Sequence, residues 1–304
     1  VSKFIEYDGK PITMPGAFSG VPMVRYHAQL TDTPSISSSG LRTIWNESPA
    51  HYFVESYLNP DREDEGDRPH FSLGRAAHHL LFLGKEGFEK EFVVRPEQWS
   101  DWRTKDSKEW RADQIAKGMT IITDAELEHI TGMACSLAKH PLVKAGILDG
   151  AVERSMVFRH EETGVWLKSR PDCIPNDSGD VADLKSTVSV ATDSLRRSLA
   201  DYGYHMQAAL VGMGLKATLG IDMQSFSLVW VEKSQPYACR VTAITPEDLI
   251  RGKMQIDVAA KMFAKCIDTG QWPGPGGDQQ DAEYLGISPF MAKSIDERLE
   301  LLKD

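Results

Sequence analysis

The stretch Val165-Trp166-Leu167-Lys168-Ser169-Arg170-Pro171-Asp172 is followed, after the ten residues 173–182, by Asp183-Leu184-Lys185-Ser186-Thr187. It reads as two strands joined by a loop containing Gly179. Side chains alternate along a strand, so Asp183 and Lys185 point to the same side. The same parity puts Trp166, Lys168, Arg170 and Asp172 on one side of the preceding strand and Val165 and Leu167 on the other. Two carboxylates, a lysine and an arginine on a pleated surface backed by apolar residues make a place to hold a divalent cation against a phosphate.

The rest of the chain accommodates such a site. Its 304 residues suffice for one large domain or two modest ones, and 41% hydrophobic with 26% charged residues is an ordinary globular balance. No run approaches the roughly 18 apolar residues of a membrane span, so no membrane role is expected. The start, Val1-Ser2-Lys3-Phe4-Ile5-Glu6, lacks the apolar core of a signal peptide. Cys135, Cys173, Cys239 and Cys266 show no CxxC spacing, which argues against zinc or iron–sulfur ligation and suits thiols in a reducing cytoplasm. A formal net charge of −10 argues against coating nucleic acid through bulk charge, but not against a groove lined by basic residues. The acidic run Asp61–Asp67 reads as a solvated loop.

Residues 1–34, rich in Pro and Gly, read as an extended N-terminal arm. Ser37-Ser38-Ser39 before Leu41, Ile44 and Trp45 signals a helix start, and Pro49–Phe53 a second helical segment. Helices are expected over Phe71–Leu83, over 104–118, and from the capping signal Thr123-Asp124-Ala125-Glu126 to about His140. Phe92-Val93-Val94 reads as a short strand. Strands follow near 152–159, 165–173 and 180–187, then a long helix from about Asp193 to Leu219, and a strand pair at Ser225–Glu232 and Ala238–Ala243. Thr245-Pro246 opens another helix to about Thr269, and a short charged helix ends the chain. The order implies a mixed α/β core with a helical N-terminal region: a main body over 35–277, mainly helical to about 145 and sheet-based from 150, and a helical tail over 278–304.

Several side chains bear on the chemistry. Asp172 and Asp183 can share a hard cation such as Mg²⁺, and Lys185 can hold a water or neutralise charge developing on a phosphate. Asp-x-Lys is also an ordinary surface tripeptide; the flanking apolar residues and Asp172 give it weight. His78 and His79 follow Gly74 in an apolar helix and point about 100° apart, so at most one faces a given site. Glu153, on the strand before Asp172, is either a further acid near the ion or an exposed strand residue. Tyr204 and Gln207 are three apart and share a helix face, suited either to orienting a phosphate or to packing. Arg42 and Ser38, at a helix start with free N–H groups, suit a phosphate or plain capping.

Five blocks stand in order: Ser37-Ser38-Ser39-Gly40-Leu41 with Ser48-Pro49-Ala50-His51-Tyr52; Gly74-Arg75-Ala76-Ala77-His78; Glu153; Lys168–Asp172 with Asp183–Thr187; and Tyr204-His205-Met206-Gln207-Ala208-Ala209. Together they resemble the PD-(D/E)XK nuclease superfamily, and more narrowly the exodeoxyribonuclease VIII type of phages and prophages. The blocks span about residues 35–215, and Trp272-Pro273-Gly274 resembles that family's usual end. The resemblance implies a restriction-endonuclease-like core, a central mixed β-sheet flanked by helices. It makes His78, Asp172 and Asp183, with the Leu184 backbone carbonyl, ligands of Mg²⁺ (Mn²⁺ substituting). Lys185 becomes the catalytic lysine, with Glu153 and Gln207 in support. Related nucleases often carry Tyr four residues after the Gln, where this chain has Val211; that role is either dispensable or passed to Tyr204.

The implied activity is 5′→3′ digestion of one strand from double-stranded DNA ends in a bacterial cytoplasm. It leaves 3′ single-stranded tails for a single-strand annealing protein. A ring-shaped homo-oligomer is implied too, with Lys168 and Arg170 facing the channel and Arg42 near the 5′ phosphate. The rivals are an endonuclease or single-strand-specific nuclease on the same fold, a non-catalytic DNA-end-binding protein, and a small-molecule metal hydrolase using both His78 and His79.

Overall fold

The structure is a computed structural model describing residues 3–62, 73–99, 101–152, 154–175, 178–277 and 282–302. The chain begins with β1 (Ile5–Glu6), β2 (Gly16–Ser19) and the short helix α1 (Met23–His27). β3 (Ser35–Ser37) leads into α2 (Ser38–Asn46) and α3 (Pro49–Glu55), which start at the side-chain caps Ser37 and Ser48. A mainly helical part follows: α4 (Leu73–Phe88), β4 (Phe92–Val94), α5 (Lys105–Ala116), β5 (Thr120–Ile122), α6 (Asp124–Lys139) and α7 (Pro141–Lys144). The Thr123/Glu126 capping box is formed. Then come β6 (Ala151–Val152), β7 (Ser155–Arg159), β8 (Trp166–Ser169), β9 (Cys173–Ile174) and β10 (Asp180–Thr187). Helices α8 (Thr192–Asp201) and α9 (Tyr204–Leu219), strands β11 (Ser225–Glu232) and β12 (Cys239–Ala243), and helices α10 (Pro246–Thr269) and α11 (Pro289–Glu300) complete the chain.

The fold is mixed α/β, as expected, with the sheet divided in two. One sheet runs β1-β2-β7-β8-β3 with both parallel and antiparallel neighbours; the other runs β10-β11-β12. The division falls at Pro171. Proline has no N–H to give a ladder, so β8 stops at Ser169, and β9 pairs with β6 instead. Asp172 and Asp183 therefore do not lie on paired strands; they meet where the two sheets part. Helix α9 packs across both sheets, its Ala208, Val211 and Leu215 joining Met156 of β7 and Val181, Phe226, Leu228 and Trp230 of β10 and β11. On the other face of β10, Ala182 and Leu184 pack with Ala76 and Ala77 of α4 and Ile130 and Met133 of α6.

Three expectations about the elements change. Residues 1–34 are not an extended arm: β1 and β2 extend the five-stranded sheet, and Ala17, Phe18, Val21, Tyr26 and Leu30 are buried. Their apolar residues are separated by Pro and Gly, which hides the period that would have announced them. The helix expected from Asp193 to Leu219 is two helices. It breaks at Gly203, whose φ of 59° is left-handed and where a Cβ would come within 2.9 Å of Arg42 Cδ. The strand expected over 152–159 is β6 and β7, with residue 153 outside the described set. Residues 63–67 of the acidic run also lie outside it. Among the described residues no helix is long and apolar enough to cross a membrane.

Candidate active site

Strand β10 carries the centre of the site. Its residues 181, 183 and 185 face α9, and this apolar face turns polar at Asp183 and Lys185 toward the strand's end. Asp183 is 1% exposed. Its Oδ2 lies 2.5 Å from Lys185 Nζ, and its Oδ1 accepts a 2.9 Å hydrogen bond from Gln207 Nε2 of α9. The break at Gly203 sets the phase of α9 that aims Gln207 at this carboxylate and Tyr204 at the lysine. Lys185 Nζ sits 4.7 Å from the centre of the Tyr204 ring, which is backed edge-on by Trp230 at 5.7 Å. Trp230 is the register partner of Lys185 on β11.

Asp172 comes from the turn after β8. Its Oδ2 accepts a 2.6 Å hydrogen bond from the Leu184 backbone N–H. That N–H points to the edge of β10 opposite β11, so Asp172 satisfies a donor that a neighbouring strand would otherwise take. The N–H and C=O of one residue leave an extended strand on the same side, so the Leu184 carbonyl faces this edge as well. Asp172 Oδ1 lies 3.2 Å from His78 Nε2 of α4. His79 turns away: its Nε2 is 3.6 Å from Glu91 Oε2 and its ring meets Phe92 edge-on. The two histidines thus separate as helical geometry requires.

These groups line a cleft of about 960 Å³, whose walls include Gly74, His78, His79, Asp172, Leu184, Lys185, Ser186, Tyr204 and Arg170, with Val21–Met23, Glu91, Gly118 and Thr120 at its margins. Burial inside it shapes the ionisation. For Asp172 burial pushes upward, but His78, Lys185 and the Leu184 N–H outweigh it and hold the carboxyl below its usual value. Asp183 is pushed up to about 6 by burial and by the charge of Asp172, against the pull of Lys185. Lys185 is disfavoured by burial, yet Asp183 and Asp172 together raise its pKa, so it is an ammonium at neutral pH.

The other residues singled out in the sequence fall into distinct places. Lys168 does not face the cleft, contrary to expectation. It is 2% exposed, and its Nζ donates to the Tyr26 carbonyl at 2.6 Å and to that of Ala28 at 3.4 Å. It borders a separate cavity of about 260 Å³ with Ser35, Ser37, Ser39 and Tyr57. The parity of β8 explains this: Trp166, Lys168 and Arg170 all face the N-terminal segment, and Pro171 then turns Asp172 away from them. Arg170 lines the cleft but donates to Ser155 Oγ at 2.8 Å and the Val21 carbonyl at 2.6 Å. Arg42, half-buried, donates to the Ser38 and Tyr202 carbonyls, and burial holds its pKa below the usual arginine value. Ser38 Oγ is buried without a hydrogen-bond partner among the described residues. Glu153 lies outside the described residues. Val211 is buried in the α9 core, away from any polar role. Sequence reasoning missed the ring of Tyr204 beneath Lys185; the signal was available in its position three residues before Gln207 on one helix face.

The donor set suits a hard divalent ion: two carboxylates buried side by side repel one another, and an imidazole stands against one of them. Among the described residues, no three His, Cys, Asp or Glu side chains already converge on one point. The oxygens of Asp183 are engaged by Lys185 and Gln207, and those of Asp172 by His78 and Leu184.

Comparisons with known proteins bear on the fold and on the family. A solved structure from Eubacterium rectale, described as a "Putative exonuclease", aligns with a TM-score of 0.54 over 90% of this chain and 95% of its own, at 14% identity. At that identity the likeness is one of fold. No curated protein matches the sequence. A family model described as a "PDDEXK-like domain of unknown function (DUF3799)" matches residues 37–284, which hold every residue of the cluster just described. The chain therefore belongs to this PDDEXK-like family, within the PD-(D/E)XK nuclease superfamily.

Proposed function

We propose that the protein is a metal-dependent DNA nuclease that digests one strand of duplex DNA from its 5′ end. The observation that carries this reading is the meeting of Asp172, Asp183 and Lys185 opposite His78 on the floor of an open cleft. PDDEXK nucleases generally use divalent ions. Here His78, Asp172, Asp183 and the Leu184 carbonyl are the residues that would hold Mg²⁺, or Mn²⁺ in its place. When bound, such an ion supplies Lewis-acid activation of a water and of the scissile phosphate.

The protein's own groups do the rest. Lys185, kept as an ammonium by the two aspartates, donates to the attacking water or to the phosphate oxygens as negative charge builds there. Tyr204 restrains that ammonium from one side and Asp183 from the other. Gln207 fixes the rotamer of Asp183. Glu153 is assigned a supporting role on the family resemblance. At the start of α2, Ser38 with its buried hydroxyl and Arg42 form the candidate anchor for a terminal phosphate, and Arg170 contributes positive charge at the cleft wall.

The 5′→3′ polarity, the 3′ single-stranded tails, their delivery to a single-strand annealing protein, the ring-shaped homo-oligomer and a cytoplasmic site of action rest on the resemblance to exodeoxyribonuclease VIII. The deciding experiment digests linear duplex labelled at either end, beside covalently closed circles, with Mg²⁺ and with chelator. Early release of 5′ label with closed circles intact is the expected result. Digestion of closed circles would make the protein an endonuclease, and no metal-dependent cleavage of any DNA would sink the nuclease reading.

A further inference from the structure

The unit joining β4 to β5 carries a second surface, separate from the catalytic cluster. Trp102 and Trp110 stack with ring centroids 6.2 Å apart and planes 12° from parallel, and Trp99 lies tilted 5.5 Å from Trp110. The guanidinium carbons of Arg95 and Arg111 lie 5.7 and 5.4 Å from the centre of the Trp102 ring. Neither arginine has an ion-pair partner among the described residues. All three indoles are half-buried and keep part of their surface in water.

The three tryptophans pack on one another at the surface and not into the core. The hydrophobic core beneath them is built from Phe88, Phe92, Ile122, Ile130 and Met133, and none of the three belongs to it. Through Trp110 the cluster also holds α5 against the preceding segment, and it does so without burying any of the three rings fully. Their place bears on this: Glu91, just before β4, Gly118, two residues after α5, and Thr120, the first residue of β5, line the catalytic cleft, so the unit that carries the tryptophans also forms part of the cleft's margin.

The geometry points to a binding platform for an unpaired nucleotide strand, the bases stacking on the indoles of Trp102 and Trp110 and the phosphates meeting Arg95 and Arg111. Duplex DNA hides its base faces in its own stack and asks a protein mainly for cations. Aromatic faces interleaved with guanidinium groups are what open bases require. The inference draws its biological sense from the nuclease reading, in which an unpaired strand arises at the cleft, but the binding it predicts needs no cleavage.

The test uses the full chain in chelating buffer with a labelled oligothymidylate of about twenty nucleotides, followed by anisotropy and by quenching of indole fluorescence, with a blunt duplex of the same length as control. Wild type is expected to bind the oligonucleotide with indole quenching. Trp102→Ala should weaken that binding about tenfold, the scale of one lost base–aromatic stack, while Trp102→Phe stays near wild type and duplex affinity is unchanged in both. Should Trp102→Ala unfold, Arg111→Gln at an exposed position carries the test, with weaker oligonucleotide binding and a shallower salt dependence expected. The platform is overturned if wild type fails to bind the oligonucleotide, if Trp102→Phe falls as far as Trp102→Ala, if duplex binding drops equally, or if both Trp102→Ala and Arg111→Gln bind like wild type. End-labelled duplex digestion by wild type is scored in parallel. Digestion without oligonucleotide binding refutes the platform and leaves the nuclease reading standing; binding without digestion does the reverse.

Discussion

Lys168 and Lys185 begin alike and end differently. Both sit on strands within a few residues of an aspartate, and both are taken largely out of water. Among the described residues, the ammonium of Lys168 meets only backbone carbonyls and the rings of Tyr26 and Tyr57, each 5.3 Å away. Burial then acts without a countercharge, and its pKa is pushed down to about 8. The ammonium of Lys185 meets Asp183 directly and Asp172 close by, and the two carboxylates outweigh burial and raise its pKa. Carbonyl dipoles satisfy a buried ammonium's hydrogen bonds without neutralising its charge, whereas carboxylates do both. One lysine fastens the N-terminal segment to β8; the other is held as a cation in an open cleft.

The sharpest way to break this contrast is to truncate each lysine and measure rate and stability separately. Lys185→Ala should lower DNA cleavage by about 10²–10³-fold, the range for losing one preorganised donor to developing charge. The loss should persist at saturating Mg²⁺. If single-turnover cleavage by Lys185→Ala matched wild type, the role given to this lysine would be wrong. The next effect concerns the ion. Adding Mg²⁺ or Mn²⁺ should raise the Tm of wild type through binding to the folded state, and His78→Ala should weaken that binding by about 10–100-fold. His79→Ala should keep the metal-dependent shift, because His79 faces Glu91. Equal losses in the two histidine variants would dissolve the distinction drawn between them.

Lys168→Met should do the opposite of Lys185→Ala. Removing the ammonium leaves the Tyr26 and Ala28 carbonyls without their donor, and a cost of about 1–3 kcal/mol is expected for such a loss. Urea unfolding gives the stability, and turnover per folded molecule should stay close to wild type. A large fall in turnover at normal stability would return Lys168 to the DNA-contacting role first expected of it.

What the sequence shows and what it hides divides along the same line. The common side of Asp183 and Lys185 follows from a period of two, and the shared face of Tyr204 and Gln207 from a spacing of three. Both relations are local, so both are legible. The fate of Lys168 depends on residues 26 and 28, in a segment whose apolar residues carry no period, and on Tyr57 just after α3. Pro171 was visible, but that it parts two sheets depends on β9 choosing β6 as its partner. The break at Gly203 is set by the close approach of Arg42, a contact across about 160 residues. Parity along β8 was read correctly as far as Arg170; what lay opposite that face was not in the string.

The smallest predicted effect is a matter of sign. Lys168 has a folded-state pKa of about 8 against an ordinary 10.5, so between those values the unfolded chain binds more protons than the folded one. Stability contributed by this site must therefore rise with pH through that window: below about 8 both states are protonated and the burial penalty is constant, and above it the folded state escapes the penalty by releasing the proton. The gain per pH unit approaches about 1.4 kcal/mol in the middle of the window, the worth of one proton bound by the unfolded chain and not by the folded one. Wild type compared with Lys168→Met in urea at increasing pH isolates the term, since other titrating groups cancel in the difference. A difference that grows in favour of wild type above pH 8 means that carbonyls alone do not neutralise a buried ammonium. A flat difference means that they do, and the contrast with Lys185 then rests on geometry and not on charge.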